Sequence, residues 1–231
     1  MKKIFEKNEL FFCILLIIIY ILINSFCINT YGTTSYKTAL INTTFSVSLY
    51  ILIKKLDRTK YYGLNKVKNI KKYLYFIPLL LIISVNLWTG INIQNTPKEI
   101  IFYMLNMFNI GFIEEIIFRG FLFKMMEKDN LKTAIMVTSI TFGIGHIINL
   151  LNGSELVPTI LQIISAISIG YLFVTIFYKS KSLLPCIVTH SLINALSIFY
   201  VETHIIMYAT TSFIILISLL YAKYINKKKE A

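Results

Sequence analysis

Residues 100–123 read IIFYMLNMFNIGFIEEIIFRGFLF, an apolar stretch that carries Glu114, Glu115 and Arg119 near its middle. A helix that spans a bilayer needs about 20 mostly apolar residues, so this stretch is long enough to cross a membrane. Each ionised group near the bilayer centre costs about 2.5–3.5 kcal/mol on insertion scales. We therefore expect these three side chains to face a protein interior or a water-filled cavity.

Helical spacing separates the three charges. Glu115 and Arg119 are four residues apart on one helix face, which predicts an ion pair between them. Glu114 is rotated by about 100° from Glu115, so it should face another direction and be free for another role. Gly111 and Gly120 predict the close approach of neighbouring helices. In the alternative interpretation all three charges only hold helices together, but such contacts more often use Ser, Thr or Asn.

The whole chain has the composition of a membrane protein. Of its 231 residues, 56% are hydrophobic and only 15% are charged, whereas about 25% of the residues of soluble domains are charged. We predict an all-α, polytopic membrane protein in which about eight transmembrane helices enclose a polar cavity, as a single transmembrane domain over residues 1–231. The predicted spans are 10–29, 38–53, 74–92, 99–123, 132–151, 157–178, 183–200 and 204–222. We find no internal repeat and no sign of an interrupted helix.

The basic residues predict the orientation in the membrane. If the N-terminus is cytoplasmic, 20 of the 23 Lys and Arg residues fall on the cytoplasmic side, while Lys37 and Lys98 fall on the other and Arg119 lies within a span. This positive-inside distribution predicts a multi-pass protein of the cell membrane with both termini in the cytoplasm. It also explains the net charge of +12 without nucleic acid. The basic loop 54–73 is expected to lie near anionic lipid headgroups, with substrate docking as the weaker alternative.

The N-terminal segment resembles a signal peptide, because it has a basic start and an apolar run. That run, 10–28, is longer than a typical signal-peptide core and no small-residue cleavage site follows, so we predict a retained first transmembrane helix. Cys13, Cys27 and Cys186 form no CxxC pair, which indicates buried thiols and neither a disulfide framework nor a thiolate zinc site. A dyad of Cys186 and His190, four residues apart, is a less favoured alternative.

Two histidines also fall within predicted spans. His146 lies in FGIGHII on the same face as Phe142, and His190 lies in THSLINAL on the same face as Asn194. A carboxylate can take a proton from water as a general base, and His and Asn side chains can donate hydrogen bonds to the oxyanion that forms. The same Glu and two His could instead bind one zinc ion with an open position for water. No HExxH sequence is present, which excludes a conventional zincin helix.

Three sequence motifs resemble those of the CAAX-protease and bacteriocin-processing (CPBP, or Abi) family. They are Glu114-Glu115-x-x-x-Arg119, Phe142-x-x-x-His146 and His190-x-x-x-Asn194, which lie between residues 111 and 197. Residues 62–64, Tyr-Gly-Leu, resemble a short upstream motif of the family. The resemblance implies an intramembrane endopeptidase.

The resemblance also implies a role for each motif residue. Glu114 would activate water, Glu115 and Arg119 would shape the site, and His146 would help to bind the water or a metal. His190 and Asn194 would stabilise the oxyanion. We expect no obligatory cofactor, with a divalent metal such as zinc on Glu114, His146 and His190 as the alternative.

A hydrophobic or lipid-anchored peptide is the expected substrate, reached from the cytoplasmic side or the inner leaflet. Members of this type are associated with peptide maturation, export or self-immunity to bacteriocins, so a non-catalytic immunity or peptide-binding protein stays open. A proton-coupled transporter is the third alternative, disfavoured by the absence of inverted repeats and interrupted helices.

Overall fold

The expected all-helical fold is confirmed by the computed structural model, which describes residues 2–67, 76–201 and 204–227. Helices hold 82% of the residues, and the described residues contain no strand. The helices are α1 (Lys2–Lys7), α2 (Glu9–Tyr31), α3 (Tyr36–Lys55), α4 (Ile77–Leu87), α5 (Pro97–Met126), α6 (Leu131–Leu151), α7 (Leu156–Ser180), α8 (Leu184–Phe199) and α9 (His204–Lys227).

Helices α2 to α9 correspond one to one with the eight predicted spans. Five of the described helices, α2, α5, α6, α7 and α9, are long and apolar enough to cross a membrane. Helices α4 and α8 are apolar but shorter, and α3 is long but less apolar. The start of the third predicted span (74–75), part of the basic loop (68–73) and Lys228 and Lys229 lie outside the described residues.

Local sequence signals explain where several helices begin. The Asn8 side chain accepts a hydrogen bond from the backbone N–H of Phe11 at the start of α2. Thr96 and Glu99 form a capping box at the start of α5, where Pro97 occupies the first turn. These contacts satisfy backbone donors that have no partner within the helix. The capping box defines where α5 begins, and α5 is the helix that carries the glutamate pair.

Two glycines bring helices together around the site. A Cβ on Gly111 of α5 would lie 2.4 Å from Ser191 Oγ and 2.8 Å from the Ser191 backbone nitrogen of α8. A Cβ on Gly143 of α6 would lie 2.3 Å from a side-chain carbon of Ile167 in α7. The expected close approach at Gly111 is therefore present. At Gly120 it is wrong, because a Cβ there would meet nothing nearer than 3.8 Å, and that atom belongs to the same helix.

Two helices change their geometry close to the motif residues. Residues Ile116–Phe123 of α5 form a π-helical stretch that begins directly after the two glutamates. Residues Gly145–Ile147 of α6 form a 3-10 turn that contains His146. Both helices nevertheless continue without a break, over Pro97–Met126 and Leu131–Leu151, so their geometry changes but they are not interrupted. Such local changes are common at functional sites, because they turn side chains away from the direction that a regular α-helix gives them.

The basic segments meet at one end of the molecule, which we call the basic end. Glu9 at the start of α2 pairs with Arg58 at 3.3 Å and with Lys128 at 2.6 Å. The Tyr61 hydroxyl donates to the backbone carbonyl of Lys124 at 3.1 Å. The segments that hold most of the lysines therefore lie together, as the positive-inside count requires. That this end faces the cytoplasm stays a prediction.

Candidate active site

Glu115, Arg119 and His190 form one buried cluster. The Glu115 and Arg119 side chains have no solvent exposure, and the His190 side chain is 8% exposed. Arg119 Nη1 donates to Glu115 Oε1 at 2.9 Å, and His190 Nδ1 lies 2.9 Å from the same oxygen. The ion pair predicted from the spacing is present, and α8 adds a third member. A buried ion pair needs additional hydrogen bonds of this kind to offset its desolvation.

The rest of the Arg119 guanidinium faces aromatic rings. Its central carbon lies 4.1 Å from the ring centroid of Phe142 and 5.7 Å from that of Phe173. Its Nε and Nη2, like Glu115 Oε2, have no hydrogen-bond partner among the described residues. A Cβ on Gly170 would lie 3.3 Å from Nη2, so this glycine makes room for the guanidinium. Cation–π contact therefore supplements a single strong ion pair.

His190 connects the two glutamates. A carboxylate can only accept, so the 2.9 Å contact with Glu115 Oε1 puts a proton on His190 Nδ1. The other ring nitrogen, Nε2, then faces Glu114 Oε2 at 3.5 Å. Glu115 thus fixes the orientation and the tautomer of the imidazole, and Nε2 is presented to Glu114.

Glu114 differs from Glu115 in its surroundings. Its side chain is 14% exposed, and the Tyr20 hydroxyl of α2 donates to Oε1 at 2.5 Å. It also lines a cavity of about 70 Å³ between α2, α5 and α6. The expectation that Glu114 faces another direction is met, although it is held by Tyr20 and His190. A cavity of this size with polar walls has room for more than one water molecule.

The cavity joins Glu114 to His146. Its walls are Tyr20, Ile21, Asn24, Ser25, Glu114, Phe118, Phe142, Gly145, His146, Ile148 and Asn149. His146 Nδ1 lies 3.1 Å from the backbone carbonyl of Phe142, which can only accept, so the proton is on Nδ1. In the neutral ring the His146 Nε2 is an acceptor. It is therefore suited to hold a water molecule next to the Glu114 carboxylate.

The cavity lies in the half of the molecule away from the basic end. From Tyr20 and Glu114 at the middle of their helices it extends to Asn149, near the far end of α6. Phe12 and Phe121 are not among its walls; they are buried and pack against each other with their ring centroids 5.4 Å apart. The structure thus does not place an opening at the basic end, where we expected substrate access. The route of substrate entry, from the cytoplasmic side or laterally from the inner leaflet, stays a prediction.

Two candidates from the sequence lie apart from this arrangement. Asn194 is half-buried one turn beyond His190, and its side chain makes no hydrogen bond to any described residue. Cys186 is fully buried, and its thiol donates to the Phe173 backbone carbonyl at 3.4 Å. The cysteine is thus engaged away from His190, which removes the support for a Cys–His dyad.

A metal ion has no three-ligand site in this arrangement. Glu114 and His190 are adjacent, but His146 is connected to Glu114 only through the cavity. Across residues 2–67, 76–201 and 204–227, no three His, Cys, Asp or Glu side chains are grouped closely enough to hold a metal. The residues named for zinc therefore do not fit it in the conformation described.

Sequence reasoning missed two residues of the site. Phe142 appeared only as a motif position, yet its ring contacts Arg119, His146 and His190, with centroid distances of 5.4 Å and 5.6 Å to the two imidazoles. Tyr20 was not singled out. Its signal was present, because Tyr20 and Asn24 share one face of an otherwise apolar run. Periodicity reveals such a face but not the helix that it contacts.

Comparison with known proteins finds a family match over one segment of the chain. Residues 94–196, a little under half of the chain, match the family described as type II CAAX prenyl endopeptidase, Rce1-like. No curated protein and no solved structure matches the chain. The matched segment runs from just before α5 into α8 and includes all three motifs, whereas Tyr20 lies outside it. The expected resemblance is thereby confirmed: this multi-pass membrane protein contains a segment that is similar to the Rce1-like CAAX endopeptidases.

Proposed function

We propose that the protein is an intramembrane endopeptidase that hydrolyses a peptide bond with water activated by Glu114. The observation that carries this proposal is the division between two adjacent carboxylates. Glu115 is enclosed by Arg119 and His190, whereas Glu114 faces a polar cavity. A general base must reach both a water molecule and the substrate, and of the two glutamates only Glu114 has that access.

The chemistry follows from the partners of each group. Glu114 takes a proton from a water molecule that His146 Nε2 helps to hold in the cavity, and the oxygen attacks the peptide carbonyl carbon. The carbonyl oxygen becomes an oxyanion. When the tetrahedral intermediate collapses, the C–N bond breaks and the proton passes from Glu114 to the leaving amine. Tyr20 holds the carboxylate through the 2.5 Å hydrogen bond to Oε1, so its role is to position Glu114.

The oxyanion is assigned to His190 and Asn194, as the family resemblance implies. His190 Nε2 lies beside Glu114, so a carbonyl attacked from the cavity would come within its reach. In its doubly protonated form the ring donates from Nε2 to the oxyanion while Nδ1 stays on Glu115. The Asn194 side chain makes no hydrogen bond to any described residue, so it is free to turn towards the oxyanion when substrate binds.

A hydrophobic or membrane-tethered peptide is the proposed substrate. The cavity lies among helices that are long and apolar enough to span the membrane. Their outer faces carry large exposed apolar side chains, among them Leu22, Phe26 and Met136. A peptide that partitions into the bilayer would therefore meet the protein at the depth of the site.

The test compares membrane peptides from cells with the wild-type protein and with Glu114→Gln. A peptide that is cut only by the wild type identifies the substrate and supports the assignment of Glu114. Glu99→Gln is the matched control, because Glu99 lies on the same helix but at its exposed end. The proposal fails if Glu114→Gln processes peptides as the wild type does.

Two further measurements separate the alternatives. If cells with Glu114→Gln remain protected against a bacteriocin to which the wild type confers immunity, the protein acts by binding and not by cleavage. If a chelator abolishes cleavage by the purified protein and zinc restores it, the reaction depends on a metal. Insensitivity to the chelator is the outcome expected for a water molecule activated by glutamate alone.

A further inference from the structure

A second polar site lies at the basic end, away from the candidate active site. It is a pocket of about 200 Å³ between the loop after α3, the end of α5 and the end of α7. Its walls are Lys60, Tyr61, Phe123, Lys124, Glu127, Phe177, Tyr178 and Lys181. None of these residues belongs to the three motifs, and none has a role in the proposed hydrolysis.

The charges in this pocket favour an anion. Three lysines from three separate segments face one space, while Glu127 is the single acidic residue of its walls. Glu127 is paired with Lys124, so two positive charges are left without an acidic partner inside the pocket. Arg58, the nearest further cation of the loop, is already paired with Glu9. A ligand with one or two negative charges would balance the site.

The pocket is held together before any ligand arrives. The Leu183 backbone N–H donates to the Gly63 carbonyl at 2.8 Å, and Ser182 Oγ donates to the Asn65 carbonyl at 2.6 Å. On the other side, Tyr61 donates to the Lys124 carbonyl at 3.1 Å. The three segments that supply the lysines are thus tied by hydrogen bonds between loop and helix ends. Little ordering is left for a ligand to impose, which favours binding.

Lys181 occupies a backbone position that favours glycine. It ends α7 in the left-handed conformation, with φ 55° and ψ 20°. Glycine is the usual residue at such a helix end, because a side chain there is disfavoured by roughly 1 kcal/mol or more. The Lys181 ammonium lies 4.0 Å from the Tyr178 ring centroid, at the wall of the pocket. Glycine would avoid this strain but would supply no charge. The lysine at this position therefore indicates that its positive charge has a function in the pocket.

The surroundings identify the anion as a lipid headgroup. The pocket lies where α5 and α7, both long enough to cross the membrane, reach the basic end. Tyr61 and Tyr178 flank it, as tyrosines do at the membrane–water interface. Basic pockets between membrane helices at this depth meet the phosphates of the adjacent leaflet. We propose that Lys60, Lys124 and Lys181 bind the phosphate headgroup of an anionic phospholipid.

The experiment measures which lipid the full-length protein retains. Protein purified from mixed micelles of phosphatidylglycerol and phosphatidylcholine is analysed by native mass spectrometry. The wild type should retain phosphatidylglycerol in preference to phosphatidylcholine, and Lys60→Gln/Lys124→Gln/Lys181→Gln should lower that preference by about 100-fold, because each of the three lysines contributes about five-fold near an anionic surface. Lys54→Gln/Lys55→Gln/Lys66→Gln removes equal charge from exposed positions of the basic loop and should retain it.

Three results would overturn the proposal. The first is a wild-type protein that retains both lipids equally. The second is an equal loss of phosphatidylglycerol retention in the two triple variants, which would show that the general surface charge of the protein attracts the lipid. The third concerns the source of the phosphate: inorganic phosphate that binds as tightly as the lipid and displaces it would make the ligand a free anion.

A single substitution at Lys181 separates binding from folding. Lys181→Gly relieves the left-handed backbone, so in lipid-free detergent it should raise the unfolding temperature by about 2 °C. The same variant should retain less phosphatidylglycerol than the wild type. Unchanged lipid retention together with the higher unfolding temperature would contradict a binding role for Lys181.

Discussion

The charged cluster has an enclosed half, Glu115 with Arg119, and an accessible half, Glu114. The two halves differ in how completely the protein surrounds them. Glu115 and Arg119 have no exposed side-chain area, and their partners come from α8 and from the rings of Phe142 and Phe173. Glu114, the preceding residue, faces a cavity and is held by the Tyr20 hydroxyl of α2 and by His190 Nε2 at 3.5 Å. Successive residues of one helix thus serve two needs: one charge is fixed within the protein, and the other is left accessible for chemistry.

The largest expected effect tests the accessible half. Glu114→Gln should lower kcat by about 10²–10⁴-fold, the usual contribution of a general base, and leave the unfolding temperature close to that of the wild type. The measurement is peptide cleavage by purified protein in parallel with thermal unfolding. Glu99→Gln serves as control. If Glu114→Gln unfolded the protein as readily as loss of Glu115, the division between the two halves would not hold.

A substitution in the enclosed half should lower the folding stability of the protein. Arg119→Met leaves Glu115 buried without its cation, which should cost about 3–5 kcal/mol of folding free energy. Arg58→Met is the matched control, since the Arg58 side chain is 35% exposed and exposed ion pairs contribute about 1 kcal/mol or less. Unfolding by denaturant in detergent compares the two. Equal, small losses would show that Glu115 does not depend on its ion pair.

The close contact between α5 and α8 at Gly111 and Ser191, which we call the seam, positions His190 next to Glu115. Gly111→Ala forces a Cβ into the Ser191 backbone at 2.8 Å, so α8 must shift, at a cost of about 1–3 kcal/mol. Cleavage should fall with it, because His190 moves relative to both glutamates. Gly120→Ala has open space and should leave both unfolding and cleavage unchanged. If the two variants changed unfolding and cleavage equally, the close contact between α5 and α8 would not be what positions His190.

The smallest expected effect concerns the hydroxyl that holds Glu114. Tyr20→Phe keeps the ring and removes the donor, which should lower kcat by about 10-fold, as for other hydrogen bonds to a charged group. KM should change little, because a positioning residue acts on the base and not on substrate binding. Tyr31→Phe, at the exposed end of the same helix, is the control. A rise in KM at constant kcat would assign Tyr20 to the substrate instead.

The sequence predicted the helices and the contacts within one helix. It did not predict the contacts between side chains of different helices. Spacing by four residues predicted the pair of Glu115 and Arg119, and apolar runs predicted all eight helical segments. The same reasoning could not predict that His190 lies between the two glutamates, because that depends on how α8 packs against α5. It also did not predict the π-helical stretch that follows Glu115, although the predicted contact of Arg119, which lies within that stretch, is present.

Glycines show the same limit. Gly111 and Gly120 look alike in the sequence, yet only Gly111 faces a neighbouring helix. Gly143 and Gly170 were not singled out, although one allows α6 and α7 to meet and the other makes room for Arg119. A small residue has no periodic signal of its own, so its role becomes visible only when its neighbours are known.

The order in which the chain is made gives the local ion pair a further consequence. Segments enter the membrane from the N-terminus as they are synthesised, and His190 follows Glu115 by 75 residues. Arg119, only four residues away, is therefore the partner that can neutralise Glu115 while α8 does not yet exist. Tyr20 precedes Glu114 by 94 residues and is already in place to receive it. Each glutamate thus has a partner from an earlier or neighbouring part of the chain, and the candidate active site is complete only when α8 packs against α5.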